Sequence, residues 1–428
     1  MSTGSIEGRA GTGAHVCIIV QNLPVPFDRR VWLECRALRD AGYEVSVVCP
    51  KGPGDPGHEV IDGVEIYKYR PYPGGTSKVS YLFEYVYSFC ATAWLVTKVW
   101  RTRRFAALQA CNPPDIFWPL GLLFALLGRS RFVFDHHDLC PELYESRFPE
   151  GPRFAYWGLR LLERCTFATA SHVVSTNESY RSRALRRGGK RPDAVTVVRT
   201  GPDADRLRAG DPELALKRGR RYLAAYIGVM GPQDGVDYVL RAADVIVHRL
   251  HRTDIAFTLI GKGDCYEELV ALRDSLGLQG HVEFTGRAPD ELVARILSSA
   301  EIGLSPDPKN PLNDVSTMNK TMEYMAFGLP TVAFDLHETR VSARDAAVYA
   351  RPNEIDDYAA KIVELLEDEQ TRKEMAMVAR SRVENELAWS HQRDRYVGVY
   401  DRLLEGGAVA VRTPGSDDRA LRQSPVAP

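Results

Sequence analysis

Short apolar runs alternate with amphipathic stretches along most of the chain, and this alternation predicts its elements. Strands are expected at 15–20, 44–49, 60–69, 105–110, 131–135, 172–175 and 194–198, the third carrying an Asp62-Gly63 turn. Residues 31–41 read as the first helix, with Val31, Cys35 and Leu38 on one face and Gly42 as its stop. After a charged stretch at 217–221 the pattern restarts. Strands are expected at 222–228, 255–261, 281–285, 301–304 and 331–335, with helices at 236–250, 266–276, 290–298 and 317–327 between them. Strand and helix in turn, twice over, predict an α/β chain of two tandem, Rossmann-like doubly wound domains. The first is expected at 14–200 and the second at 201–385. A helix at 386–405 is expected to reach back to the first domain. The ends, 1–13 and 406–428, read as loose tails.

Composition narrows the class. Hydrophobic residues make up 44% and charged residues 26%, which excludes a wholly disordered chain, a collagen and a polytopic membrane protein. Lys plus Arg total 55 against 56 Asp plus Glu, so the basic excess of a nucleic-acid-coating protein is absent and no nucleic-acid partner is expected. The eight cysteines form no CxxC pair, and several lie in apolar runs, as expected of reduced, buried thiols. The first apolar run is too short for the core of a secretory signal, so a cytoplasmic location is expected.

Residues 81–104 add a qualification. They are dense in aromatic and aliphatic side chains, yet Glu84 and Lys98 leave 13 uncharged residues between them. That is short of the roughly 20 needed to span a bilayer. Arg101, Arg103 and Arg104 follow. A core helix and a helix lying on the cytoplasmic face of the inner membrane both fit, as they do for the apolar run at 116–127.

Two loops have the residues for binding phosphate. Gly228, Gly231 and Gly235 follow a strand and open a helix, where backbone N–H groups can approach an anion. A plain strand-to-helix turn fits equally. In the second loop, Ser316 and Thr317 are candidate caps of the next helix, with Asn319 and the Lys320 ammonium just inside it. Glu323 lies near Lys320 on that helix, and a carboxylate can accept both hydroxyls of a ribose. A solvated Lys–Glu pair is the structural alternative.

The run KTMEYMAFGLPTVAFD (320–335) resembles the donor-binding segment of the retaining glycosyltransferases of family four, which have the GT-B fold. AYIGVMGPQDGVDYVLRAA, FTLIGKGDCYEEL, VEFTGRAPDELV, VVRTGPDADRL, CNPPD and DHHDLCPE resemble further family segments, so the similarity covers roughly 15–404. It is strongest to bacterial members that assemble exopolysaccharides and lipid-linked glycans. The resemblance implies a nucleotide diphosphate sugar held by the second domain and a glycan or polyprenol-linked acceptor held by the first. It implies no metal and no cofactor besides the donor. Glu323 matches the second Glu of the family's EX7E motif. Val315 occupies the place of the first, with Asp314 one position away. The family's Arg and Lys near the Gly-rich turn are missing, leaving Lys320 as the diphosphate cation, with Lys262 and Arg287 behind it. Ser316, Asn319 and Lys320 fit the Ser-x-x-Asn-Lys pattern of some relatives.

His137 matches the first-domain His expected near the anomeric carbon, with His136 adjacent. The catalytic set implied is therefore His137, Lys320 and Glu323. Asp28 and Arg29, in the loop after the first strand, are candidates for the acceptor or for a surface ion pair. Asp203 and Asp205 satisfy a DxD pattern, which the linker resemblance explains without a metal. The basic run at 181–191 reads as a solvated helix end or as a site for lipid or acceptor phosphate. The expected reaction is metal-independent hexosyl transfer with retention. A nucleotide-sugar 2-epimerase and a non-catalytic scaffold of a glycan-assembly complex are the alternatives.

Overall fold

The computed structural model describes residues 13–73, 78–203 and 209–408, with side chains from 83 onward in the second segment and up to 404 in the third. The tails expected at 1–13 and 406–428 lie almost wholly outside these residues, as does Asp205.

The first sheet contains β1 (His15–Ile19), β2 (Glu44–Pro50), β3 (His58–Ile61), β4 (Val64–Tyr69), β5 (Ala107–Cys111), β6 (Arg131–His136), β7 (His172–Ser175) and β8 (Val195–Val197). Its order is β3-β4-β2-β1-β5-β6-β7-β8, parallel except for β3, which pairs antiparallel with β4. The turn expected at Asp62-Gly63 reverses the chain there, with Asp62 at φ 51°, so the run at 60–69 is a hairpin tip between β3 and β4. The second sheet contains β9 (Tyr222–Ile227), β10 (Ile255–Ile260), β11 (Val282–Gly286), β12 (Ile302–Ser305), β13 (Thr331–Phe334) and β14 (Ala347–Ala350). It is parallel throughout, in the order β11-β10-β9-β12-β13-β14. Strands buried on both faces are mostly apolar, which is why β1, β2, β9 and β10 read as near-continuous apolar runs.

Strand order reverses at β1/β5 in one sheet and at β9/β12 in the other. Parallel sheets of this kind bind ligands outside the carboxyl ends of the strands at such switch points. The loops after β1, β5 and β6 and those after β9 and β12 therefore face one cleft.

The helix expected at 236–250 ends early as an α-helix: Val236–Asp244 continues into a π-helical turn, Val245–Arg249. Helix Glu369–Arg382 likewise runs into a π-helical turn at Val383–Leu387. The last helix, Trp389–Ala408, crosses back. Its Trp389, Tyr396, Val397, Val399 and Tyr400 join the core of the first domain beside Val16, Val31 and Leu38. The crossing is tight. A Cβ on Gly201 would come within 2.2 Å of the Leu387 carbonyl oxygen, so the linker needs a residue without a side chain there. Among the described residues no helix is long and apolar enough to cross a membrane.

Candidate active site

The first-domain wall is a buried charge cluster at the ends of β5 and β6. Asp135 and Glu34 are fully buried and the Arg30 guanidinium lies between them, 2.9 Å from Asp135 Oδ1 and 3.0 Å from Glu34 Oε1. Arg30 also donates to the Val198 carbonyl at 2.9 Å and to Thr200 Oγ1 at 3.0 Å. Nε2 of His137 lies 2.5 Å from Asp135 Oδ2 and 2.9 Å from Arg30 Nε. One ring nitrogen cannot donate to Asp135 and accept from Arg30 at once. A proton on Nε2 serves the shorter contact, to Asp135. Asn112 fixes the loop: its Oδ1 accepts from the N–H groups of His137 and Asp138, and its Nδ2 donates to the Asp138 carbonyl.

The charges in this cluster are unequal. Burial, with Asp135 beside it, raises Glu34 well above the usual carboxylate range. Burial opposes ionisation of Asp135 too, but Arg30 and His137 outweigh it and hold Asp135 well below its ordinary value. Gln109 Nε2 donates to Glu34 Oε2 at 2.8 Å, and Gln109 Oε1 accepts from Tyr396 at 2.8 Å and from Tyr400. The returning C-terminal helix thus reaches beneath His137. Glu34, Cys111, Asp135 and His137 bring potential ligand atoms within 4.8 Å of one another, but the Arg30 guanidinium supplies the positive charge at that point.

His136 and His137 separate clearly. His136 is fully buried against Phe134, Phe167 and Tyr180, neither ring nitrogen has a partner, and burial pushes it down to about 3. It is a neutral core ring. His137 keeps 13% of its side chain exposed.

The second-domain wall is built by close backbone approach. A Cβ on Gly261 would sit 1.8 Å from the Gly228 carbonyl oxygen, and one on Gly263 within 2.7 Å of the Met230 backbone. These glycines let the loop after β10 lie on the loop after β9, where Cys265 N donates to the Met230 carbonyl at 2.9 Å. Gly228 stands directly above the Lys320 side chain. Gly231 N–H donates to Asp234 Oδ2 at 2.9 Å.

Lys320 is buried, hydrogen-bonded to Asp307 and 4.0 Å from Asp234. Burial raises Asp234 to about 6, with Lys320 opposing the shift. The ammonium therefore sits in an acidic cage at the switch point, a setting not visible in the sequence. Lys262 and Arg287 are both exposed. Lys262 lies over the Tyr266 ring, and Arg287 stands 4.6 Å from the ring centre of Phe27, a first-domain residue.

Two expectations change. Neither Ser316 nor Thr317 caps the helix Asn319–Ala326; it starts after Met318 with no side-chain cap. The hydroxyls are spent between domains: Ser316 Oγ bonds Tyr180 at 2.9 Å, and Thr317 Oγ1 accepts from Asn177 Nδ2 at 3.0 Å. Asn319 is exposed at the first position of that uncapped helix. Asp28 is the N-cap of helix Arg29–Asp40, accepting from Val31 N at 3.1 Å, so its buried carboxylate is committed to the fold and not held open for an acceptor. Arg29 instead crosses the cleft to Glu323 Oε1 at 2.9 Å and stands 3.7 Å from Asp290. Asp314 accepts from His337 N at 3.0 Å and faces Lys309, and Asp203 lies 3.9 Å from Arg36.

The chain matches two family models in order: a glycosyl transferase 4-like domain over residues 28–201 and the glycosyl transferases group 1 domain over residues 221–368. Its two domains are those of GT4-type glycosyltransferases. It is 29% identical over 191 residues to a phosphatidyl-myo-inositol mannosyltransferase of Mycolicibacterium smegmatis, covering 44% of this chain and 46% of that one. It spans about half the length of the curated relatives it matches. Sucrose-phosphate synthase from Thermosynechococcus elongatus superposes with a TM-score of 0.72 at 16% identity, over 92% of this chain and 100% of that one. HepE of Anabaena, solved with UDP and glucose, superposes at 0.66 and 14%, over 91% and 100%. These structures establish the GT-B fold for the chain.

Proposed function

We propose that this glycosyltransferase moves a hexosyl unit, with retention, from a nucleotide diphosphate sugar to a hydroxyl of a glycan or lipid-linked acceptor. The observation that carries the reading is the pairing across one cleft. His137, held by Asp135, faces from the first domain. Glu323 and the uncapped, Lys320-bearing helix start face from the second.

The departing diphosphate gains charge as the glycosidic bond breaks, so the reaction needs positive potential at its phosphates. The first amides of helix Asn319–Ala326 and the Lys320 ammonium supply it without a divalent ion. Glu323 takes the ribose hydroxyls once Arg29 releases it. His137 lies at the sugar. No nucleophilic carboxylate is assigned; the acceptor attacks on the face the diphosphate leaves, and the leaving phosphate takes its proton. That the Anabaena protein was solved with UDP supports a uridine donor as the first to test.

The acceptor side is read as membrane-proximal. Helix Lys78–Thr102 exposes Phe83, Val86 and Trp94, and Arg101, Arg103 and Arg104 follow them. Such a face suits the surface of an anionic membrane.

The test is release of nucleoside diphosphate from a panel of sugar nucleotides. Glu323→Ala is expected to weaken donor use by about ten-fold or more, which is the loss of one or two charge-assisted hydrogen bonds. His137→Ala is expected to cut turnover more than donor affinity. Wild-type rates in both folded variants would remove these residues from the site. Conversion of the sugar nucleotide without acceptor would favour an epimerase. Absence of any nucleotide response in tryptophan fluorescence would favour a scaffold.

A further inference from the structure

A cavity of about 870 Å³ lies where helices Glu178–Arg186 and Arg153–Thr169 meet the second domain at Val315 and His337. Its first wall is one helical face, with Ser179, Ser182, Arg183 and Arg186 at spacings of three and four. Tyr156 and Arg160, also four apart, form the second wall. At its base Arg187 is neutralised by Glu142, at 2.7 Å, and by Glu163. Glu178 is taken by Arg181 at 3.4 Å.

That leaves two guanidinium groups without a close acid. Arg183 has its nearest carboxylate, Glu142, at 4.0 Å, and Arg186 has none within ion-pair distance among the described residues. Arg160 stands 3.7 Å from Glu163, donates to Tyr156 and lies over the Tyr156 and Trp157 rings, so it is a shared third cation beside these two. The next face of the same helix is apolar and open to solvent: Phe154 is 79% exposed, Trp157 57% and Leu161 62%. Planar, weakly hydrated guanidinium groups suit a phosphate oxygen fork, and the neighbouring rings suit a hydrocarbon chain.

We propose that this cavity binds the phosphate of an amphiphile, with Arg183, Arg186 and Arg160 on the phosphate oxygens and the chain lying over Phe154, Trp157 and Leu161. The proposal deepens the acceptor side of the function above. The phosphate has two sources, a prenyl phosphate carrying the acceptor or a phospholipid of the bilayer, and they can be told apart.

Farnesyl phosphate in solution, and vesicles of phosphatidylcholine with and without phosphatidic acid, are the probes for the full chain. The variants are Arg183→Ser/Arg186→Ser and, because Arg186 is exposed and unpaired, Arg186→Glu alone. Both should melt as the wild type does. Loss of about ten-fold or more in farnesyl phosphate binding supports the cavity and assigns the acceptor as source. The same loss only on phosphatidic acid vesicles supports it and assigns the bilayer. Equal binding of every probe by folded variants and wild type overturns it. Donor turnover, followed in the same preparations, keeps the two readings separate. Arginine-dependent binding without donor turnover sinks the transfer reaction and leaves the cavity standing, and the reverse pattern does the opposite.

Discussion

Replacing Arg30 by methionine tests the wall that holds His137. Methionine keeps much of the volume but removes the one cation between two buried carboxyl groups, and it strips donors from the Val198 carbonyl and Thr200 Oγ1. Removing one partner of a buried pair costs about 3–5 kcal/mol, because the other charge stays buried and uncompensated. Against a total stability of about 5–15 kcal/mol, that is a large fraction. The pH dependence follows from the shifts. In the wild type Asp135 is held below its ordinary value, so its contribution is present above the unfolded pKa and lost as pH falls through the folded one. Glu34 is held above its ordinary value, so its contribution is lost as pH rises through the carboxylate range and beyond. Without Arg30, Asp135 follows Glu34 upward. The deficit of Arg30→Met relative to wild type should therefore grow from acid to neutral pH. Urea unfolding followed by tryptophan fluorescence at acid and at neutral pH measures it. A deficit under about 1 kcal/mol, or one that shrinks as pH rises, would refute the assignment of a single cation serving two unequal acids.

Three further outcomes are expected. Glu34→Gln keeps a donor toward Asp135 and an acceptor for Gln109 but does not titrate, so its urea midpoint should match wild type at acid pH and exceed it at neutral pH and above; a midpoint at neutral pH as low as that of Glu34→Ala would show that Glu34 is ionised. Asp234, at about 6, should make binding of a nucleotide diphosphate sugar tighten as pH falls from 7 to 5, since losing its charge strengthens the field of Lys320; the trend should vanish in Asp234→Asn, and calorimetry reads it. Arg29→Ala should lower the donor KM by about two- to five-fold, because an exposed ion pair of about 0.2–1 kcal/mol no longer competes for Glu323; an unchanged or higher KM would show that Arg29 helps to bind donor.

The fold was legible in the sequence because two-face burial writes apolar runs, and Glu323, Lys320 and the Gly228 loop lie at the switch point of the second sheet. What escaped was set by pairings far apart in the chain. Arg30 and Glu34 in DRRVWLEC look like surface charges; only the fold turns the helix face they share toward Asp135. Asp135 itself left a signal, as an acid closing the apolar run RFVF. Ser316 and Thr317 read as caps because capping is the local use of a hydroxyl, yet their partners lie 136 and 140 residues away. Lys320 read as a free cation since Asp307, its partner, is 13 residues upstream on another element.

Those long-range pairings make the contact between the domains unequal along the cleft. On one side Tyr180, Leu139 and Leu312 form a shared apolar cluster, flanked by Asn177 on Thr317, Ser179 on Glu338 at 2.6 Å, and Arg199 near Glu338. These groups are buried or nearly so, and separating them exposes apolar surface and unpaired polar atoms together. On the other side the domains meet through Arg29 on Glu323 and Asp290 and through Phe27 against Arg287. There the Arg29 side chain is half exposed, and water can replace each contact. The weak side is also the side that carries Glu323, the residue assigned to the donor ribose. A ligand that takes Glu323 therefore displaces the half-exposed Arg29, while the buried side keeps the His137 wall in register with the helix start at Asn319. Binding and positioning are thus carried by different halves of one interface, and this is why Arg29 and Arg30, adjacent in sequence, are expected to respond so differently to substitution.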